Sequence, residues 1–338
     1  MGRRLATLAL TCAAAFALAL STPSAHAEAT TLRVAKQFGL GYLQFMVMQD
    51  KRLIEKHAKA AGLGEVATEW ATFRSSDVMN DALISGSVDF VSLGVPGLIT
   101  IWSKTRGSIG VKGASAINAA PLFLNVRDAS IKSLADFKEN HRIALPAVKV
   151  AMQAILLEMA AAKAFGENKF NALDHLTVSM SHPDATAAML GGPSEVTANF
   201  SSPPFQYRQL KNPNIHVVLK SSDLVPEGVS FNVISTTTKF RADNPKLYGA
   251  FLAALREATE IINADKAAAA EIYLKVTGEK TPLAEINEVL AQPDIVYTTK
   301  PLGIQPFIDF MAKIGTLRGA SAPWTEMFFP EGLAGVSN

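Results

Sequence analysis

Serine, histidine and aspartate side chains stand close together at one place in the chain, Ser181-His182-Pro183-Asp184. Adjacent side chains point apart, so this segment cannot align a nucleophile with a base and an acid, and we expect His182 to be a surface or capping residue. The sequence lacks the patterns G-x-S-x-G, G-x-x-x-x-G-K-S/T and H-E-x-x-H. None of the six histidines pairs with another at i, i+2 or i, i+4, as metal ligands on one element would. The sequence therefore predicts a protein that is not an enzyme and that has no metal or other cofactor.

Six turns from a strand into a helix are the places where this sequence can hold a ligand. Each turn exposes backbone N–H groups at a helix start, where an anion or a polar head group is stabilised. In open α/β sheets, ligands bind at the carboxyl ends of the strands, which is where such turns lie. The turns span residues 38–42, 74–77, 94–97, 146–151, 182–184 and 199–205.

Twelve residues of these turns are predicted to contact the ligand. Small and hydroxyl side chains among them let a ligand approach the backbone. Lys149, at a helix start, is either a partner for a carboxylate or sulfonate or a solvated surface lysine. Three aromatic residues of the set either wall an apolar pocket or pack in the core. The set is Phe38, Gly41, Tyr42, Ser75, Ser76, Val95, Pro96, Ala147, Lys149, Asn199, Ser201 and Phe205.

The elements that position these turns alternate between strand and helix. Short runs rich in branched and aromatic residues predict strands, and apolar residues at helical spacing predict the helices between them. Strands are predicted near 32–35, 65–73, 90–93, 121–126, 142–145, 176–180, 196–200 and 215–219, and helices near 43–59, 77–85, 97–104, 150–165 and 184–190. The chain beyond residue 244 is mainly helical. This alternation predicts an α/β fold with mostly parallel sheets.

The first 27 residues are typical of a secretory signal peptide. Two arginines precede an uncharged apolar stretch over 5–20, and Ala-His-Ala at 25–27 is an A-x-A cleavage site. The apolar stretch is shorter than the ~20 residues that a membrane span needs. We therefore expect 1–27 to be a signal peptide cleaved after Ala27, and the protein to be exported; the resemblance described below implies that it is located in the periplasm.

Composition limits the partners of the exported chain. Of 338 residues, 49% are hydrophobic and 18% are charged, which excludes a disordered or fibrous protein. The formal charge of +2 comes from the two arginines of the predicted signal peptide, and the single cysteine is Cys12. The chain after residue 27 is therefore neutral and free of cysteine, so we expect no nucleic acid partner, no disulfide and no thiol chemistry.

The order of these elements resembles the nitrate/sulfonate/taurine-type periplasmic substrate-binding proteins of ABC transporters. The similarity covers nearly all of the chain after the signal peptide. No single segment is diagnostic, and the order of the segments is what carries the resemblance. The most specific ones are IKSLADFK at 131–138, the segment SSDVMNDALISGSVDFVSL at 75–93, and the strand with a long helix at 231–262.

The resemblance implies a type II two-lobed fold. Each lobe is a mostly parallel sheet with flanking helices, and two crossover strands, near 115–123 and 221–231, join the lobes. Lobe 1 is then 28–116 together with 230–338, and lobe 2 is 121–225. A ligand would bind between the lobes and close them by hinge motion. The partners would be an ABC permease and its ATPase, and the binding protein would be a monomer.

Two departures bear on the ligand. Gly94-Val95-Pro96 stands where sulfonate-type members carry a Gly followed by Asp or Thr, and 195–200 replaces an aspartate–alanine–tryptophan sequence. The ligand is therefore either a small organic anion or a compact polar–aromatic metabolite. The alternatives are a binding protein for thiamine-precursor pyrimidines or a fold-related biosynthetic enzyme, and a periplasmic ligand sensor for a membrane receptor. The enzyme relatives imply a cysteine cluster, which the exported chain lacks.

Overall fold

The structure is a computed structural model that describes residues 27–226, 228–317 and 322–336. The predicted signal peptide lies outside this part of the chain except for Ala27. The strands are β1 Thr31–Lys36, β2 Ala67–Thr72, β3 Phe90–Gly94, β4 Val111–Ala119, β5 Phe123–Val126, β6 Arg142–Leu145, β7 Thr177–Ser179, β8 Val196–Ser201, β9 His216–Lys220, β10 Ser230–Thr237 and β11 Val296–Tyr297. The helices are α1 Leu43–Asp50, α2 Leu53–Ala60, α3 Ser76–Ile84, α4 Val95–Thr105, α5 Met152–Phe165, α6 His182–Leu190, α7 Phe205–Leu210, α8 Thr238–Asp243, α9 Pro245–Ala264, α10 Lys266–Thr277, α11 Leu283–Leu290 and α12 Gln305–Lys313. None of these helices has the length and apolar character to span a membrane.

The strands form two sheets, one of order β11-β4-β10-β3-β1-β2 and one of order β7-β6-β8-β5-β9. In the first, β1 pairs in parallel with β2 and β3, whereas β10 runs antiparallel to β3 and β4. In the second, β6 pairs in parallel with β7 and β8, whereas β5 runs antiparallel to β8 and β9. The α/β class is confirmed, but the sheets are mixed rather than mostly parallel. The reason is that the first strand after each crossing, β5 or β10, runs against its neighbours.

The chain passes twice between the two sheets. It leaves the first sheet at Ala119 and enters the second at Phe123, and it returns between Lys220 and Ser230. The two joining segments are short, so the sheets are held side by side with their strand ends facing each other. Below, lobe 1 and lobe 2 denote the ranges predicted above, whose limits remain predictions.

Lobe 1 differs from the sequence prediction at its first helix. The helix expected over 43–59 is two helices, α1 and α2, because Arg52 has φ 51°, in the left-handed region where a helix cannot continue. The break lets both helices pack against α9. The rings of Phe45 in α1 and Phe251 in α9 meet edge to face, with 6.1 Å between their centroids. Phe251 also stacks on Phe90 of β3, with 3.8 Å between centroids. These rings pack α1 and α9 against the start of β3.

One buried apolar cluster runs through both lobes. It includes Leu98 and Ile99 of α4 and Ile155 and Leu156 of α5, and α12 also packs on α5. This contact brings the start of α5 directly against the end of β3. A Cβ placed on Gly94 would lie 3.0 Å from the Cβ of Met152, so the two lobes touch at this point.

Candidate functional site

A small chamber lies where the two lobes face each other. Its volume is about 10 Å³, room for roughly one water molecule. Four helices begin at it, namely α3, α4, α5 and α6, and their first turns orient backbone N–H groups and positive dipole ends toward it. The lining residues are Gln37, Tyr42, Ser76, Gly94, Pro146, Ala151, Met152, Gln153, His182, Ser202, Phe231 and Asn232.

The polar side chains of the chamber are buried and formally uncharged. The Gln37 amide donates to the Ser76 hydroxyl at 3.2 Å, across two elements of lobe 1. In lobe 2, Nε2 of His182 lies 3.1 Å from the Ser202 hydroxyl and 3.5 Å from the Gln153 amide nitrogen. Burial lowers the pKa of His182 to about 4, so its ring is neutral at pH 7. The chamber thus presents neutral hydrogen-bonding groups.

One buried polar atom in the chamber has no partner among the described residues. It is Nδ1 of His182, whose ring is stacked on Phe205 with 5.6 Å between centroids. A buried ring nitrogen without a hydrogen bond is costly, because it has lost water and gained nothing. A ligand group, or a water molecule, that entered the chamber would remove that cost.

Two asparagines hold the turn that carries Tyr42. Asn118 of β4 donates to the carbonyl of Gly41 at 2.8 Å, and Asn232 of β10 lies 3.4 Å from the same oxygen. A Cβ on Gly41 would stand 2.7 Å from the Asn232 amide nitrogen, so a larger residue here would displace that side chain. Burial raises the pKa of Tyr42 above its usual value, so its hydroxyl remains a hydrogen-bonding group at neutral pH.

A larger cavity, which we call the outer cavity, opens beside the chamber and shares Gln37 with it. Its volume is about 710 Å³, within the range of roughly 300–1,000 Å³ that holds drug-sized ligands. Both lobes contribute to its wall. The lining residues are Lys36, Gln37, Phe38, Gly39, Met46, Thr72, Pro183, Phe205, Arg208, Val276, Thr277, Glu279, Lys280, Thr281, Pro282 and Glu285.

Direct bonds cross between the lobes beside these cavities. The N–H of Leu40 donates to the carbonyl of Pro203 at 3.0 Å. Gly39 has φ 103°, and a Cβ there would lie 2.8 Å from the same carbonyl, so only glycine permits this approach. On the far side of the lobe contact, Lys313 of α12 forms an ion pair with Glu167.

An arginine of lobe 2 makes the most extensive polar contact with lobe 1. Arg208 of α7 donates through Nη2 to Glu279 at 2.9 Å and to Thr281 at 2.6 Å. Its Nε donates to Glu285 at 3.1 Å, and Lys211 adds a second cation 3.4 Å from that carboxylate. Arg208 and its partners Glu279, Thr281 and Glu285 all line the outer cavity.

The structure distributes the predicted ligand residues among three environments. Tyr42 and Ser76 line the chamber, and Phe38 and Phe205 line the outer cavity. Lys149 is exposed and lines neither cavity. The others are buried beside the turns without lining either cavity, and they are Gly41, Ser75, Val95, Pro96, Ala147, Asn199 and Ser201.

Asn199 is tied into the interior of lobe 2. Its amide donates to the carbonyl of Ala144 at 2.9 Å, and its Oδ1 accepts from Gln209 at 2.7 Å. Both polar ends are therefore satisfied within lobe 2, where they join β6, β8 and α7. Such an arrangement fixes the strand end that carries Ser202.

The expectation for His182 is wrong. His182 is only 6% exposed to solvent, so it is not a surface residue. It is not the cap of α6 either, because that role belongs to Ser181, whose hydroxyl accepts from the N–H of Asp184 at 3.3 Å. The preceding cap turns the His182 ring inward against Phe205. Sequence reasoning also missed Gln37, which adjoins the predicted Phe38. Ser202 lies within the predicted turn 199–205, although it is not one of the twelve predicted contact residues. It missed three residues that lie within three positions of a predicted turn, Lys36, Gln153 and Arg208. It also missed residues from segments where no turn was predicted, namely Asn232, Glu279 and Glu285.

Comparison with known proteins identifies the fold. No protein-family model and no curated protein matches the chain. The alkanesulfonate-binding protein SsuA from Xanthomonas axonopodis pv. citri, bound to MOPS, is 16% identical, with a TM-score of 0.69 over 91% of this chain and 99% of that one. The periplasmic aliphatic sulphonate binding protein SsuA from Escherichia coli is 20% identical, with a TM-score of 0.64 over 89% and 92%.

A third solved structure is similar over a comparable length. The periplasmic nitrate-binding protein NrtA from Synechocystis PCC 6803 is 15% identical, with a TM-score of 0.65 over 87% of this chain and 84% of that one. At such identities the likeness shows the fold alone. The chain therefore has the two-lobed fold of periplasmic binding proteins, as the sequence resemblance predicted.

Proposed function

We propose that this protein is the periplasmic substrate-binding component of an ABC importer. The observation that carries the proposal is the chamber between the lobes, where four helix starts and a ring of buried polar side chains converge from both sides. Open α/β folds bind ligands at such strand ends. The similarity in fold to sulfonate-binding and nitrate-binding proteins supports the same assignment.

The ligand is a small organic anion or a compact polar–aromatic molecule. Helix starts stabilise negative charge, and the neutral His182, Gln153 and Ser202 can donate or accept hydrogen bonds. The chamber holds only about 10 Å³ in the present closed arrangement, so the lobes must separate to admit the ligand. Closure around it would then satisfy Nδ1 of His182.

Export and delivery complete the proposal. Cleavage after Ala27 would release the chain into the periplasm, where it acts as a monomer. The closed, ligand-bound form would dock on a transmembrane permease coupled to an ATPase. Transport then follows because the closed and open forms of the binding protein differ in their affinity for the ligand.

Native mass spectrometry of protein isolated from the periplasm, without denaturation, tests the function. We expect a bound small molecule that is lost on unfolding and that restores thermal stability when added back. Absence of any bound molecule, together with no thermal shift from panels of sulfonates, carboxylates and pyrimidines, would contradict the proposal.

Two other outcomes would redirect it. Time-dependent conversion of the bound molecule into a product would indicate a biosynthetic enzyme instead of a binding protein. Co-purification of a membrane receptor, and not of a permease and ATPase, would indicate a periplasmic sensor. The first outcome is read from the same purified sample by mass spectrometry. The second needs a pull-down from detergent-solubilised membranes, because a periplasmic extract contains no membrane proteins.

A further inference from the structure

The outer cavity contains a buried lysine that no carboxylate balances. Lys36 is the last residue of β1 and is 7% exposed. Its Nζ lies 3.4 Å from the Gln49 side-chain oxygen and 5.8 Å from the centre of the Trp70 ring. Among the described residues, no carboxylate oxygen comes within 4 Å of it, since the ion pairs found there involve other cations.

The other charged groups of the cavity are already accounted for. Arg208 is held by Glu279 and Glu285, so those carboxylates and that guanidinium satisfy one another. Lys280 is exposed to solvent. Lys36 is therefore the buried charge of this wall without a counter-charge. Burial lowers the pKa of Lys36, which is the direction expected when an ammonium group loses water and gains no anion.

Much of the remaining wall of the cavity is apolar. Phe205 is buried and Phe38 is half-buried, and both rings line the cavity together with Met46 and Val276. A volume of about 710 Å³ exceeds what a bare inorganic anion would fill. One buried cation beside aromatic walls matches a molecule with one anionic end and an apolar body.

We propose that the outer cavity binds an amphipathic organic anion, whose carboxylate, sulfonate or phosphate group pairs with Lys36 and whose apolar body packs against Phe38 and Phe205. The assignment rests on the proposed binding function and specifies its ligand class and its specificity-determining residue. In this arrangement the anionic group pairs with Lys36 in the outer cavity and not with the helix starts of the chamber, which are left to the polar groups of the ligand. Gln37, which lines both spaces, is placed to contact the ligand where the two meet.

Three probes that differ in charge and in body separate these contributions. They are 4-phenylbutyrate, its uncharged amide 4-phenylbutyramide, and acetate, with affinities measured by calorimetry on the full exported chain. We expect 4-phenylbutyrate to bind at least tenfold more tightly than the amide and than acetate. The Lys36→Met variant keeps the buried stem and removes the charge, so its preference for the anion over the amide should fall below twofold.

A matched control is Lys112→Met, which removes a half-buried lysine from β4 of the same sheet at a position that lines neither cavity. It should retain the full tenfold preference. The Lys36→Arg variant keeps the charge and should retain most of the preference for the anion over the amide. A thermal melt of each variant confirms folding before titration.

The proposal is overturned if 4-phenylbutyrate shows no measurable binding to the natural chain or binds no better than its amide. It is also overturned if Lys36→Met keeps the preference. The proposed function fails separately: anion binding that requires Lys36 but leaves the distance between the lobes unchanged would keep this site and contradict the importer. Closure of the lobes by a neutral molecule would support the importer and contradict the anion site at Lys36.

Discussion

Removal of the Arg208 side-chain charge should open the lobes without unfolding either one. Arg208 joins α7 of lobe 2 to Glu279, Thr281 and Glu285 of lobe 1, and its side chain is 25% exposed. In Arg208→Gln the amide cannot reproduce the two charge-assisted bonds. Arg208 belongs to none of the buried apolar clusters, neither the one that runs through both lobes nor those within a single lobe.

The size of the effect follows from those two bonds. A hydrogen bond to a charged group contributes about 1.5–3 kcal/mol when buried, and partial solvent exposure reduces this. The remaining Lys211 still faces Glu285, which offsets part of the loss. We therefore expect the closed form to lose about 2 kcal/mol relative to the open form, which weakens ligand binding about 30-fold.

The assay is fluorescence transfer between one dye on each lobe, together with calorimetric titration of the ligand found by native mass spectrometry. Two cysteines can be introduced freely, because Cys12 is the only cysteine of the sequence and lies in the predicted signal peptide. Arg241→Gln is the matched control: Arg241 binds Glu331 through two nitrogens at 2.6 and 3.2 Å, within lobe 1. Equal affinity and lobe distance in Arg208→Gln and the natural chain, or an equal loss in Arg241→Gln, would refute the reasoning.

Two further predictions concern closure and pH. Gly39→Ala places a Cβ 2.8 Å from the carbonyl of Pro203, so titration should show at least tenfold weaker ligand binding, whereas Gly166→Ala, at the same φ of 103° but with open space around it, should keep the natural affinity. Burial raises the pKa of Glu158 to about 7, above its unfolded value, so the stability it contributes is present below pH ~4.5 and is lost as pH rises through 7. Glu158→Gln should therefore melt higher than the natural chain at pH 8, by on the order of 2 kcal/mol in unfolding free energy, and a difference that does not grow between pH 5 and 8 would contradict this.

Local structure was predictable wherever sequence neighbours decide it. The strand Phe90–Gly94 and the helix Val95–Thr105 follow from a short apolar run and a proline at the helix start, and both were expected within two residues. The helix over 43–59 was mispredicted because the apolar spacing continues across the break. Nothing in that spacing indicates the left-handed turn at Arg52, which packing on α9 stabilises.

The site was predictable as a set of turns and not as a set of contacts. The sequence indicates that turns such as 38–42 and 74–77 lie at strand ends, and the structure brings Tyr42 and Ser76 to one chamber. It could not indicate that His182 turns inward, because the ring direction depends on the Ser181 cap and on Phe205 beyond the next strand.

Charge balance was the least predictable property. Lys36 appears in the sequence as an ordinary lysine at the end of a strand, and its neighbours Gln49 and Trp70 come from separate elements. Whether a carboxylate lies near it is decided only by the packing of those elements. A single sequence carries no signal for such an unbalanced charge.

The most direct test of the central claim is the distance between the lobes, measured by fluorescence transfer as the identified ligand is added to protein that has been stripped by unfolding and refolding. We predict a shorter distance that saturates at the calorimetric dissociation constant, and a stripped protein that is more open than the sample isolated from the periplasm. An unchanged distance across the titration, with ligand demonstrably bound, would contradict the account of a protein that captures its ligand by closing two lobes.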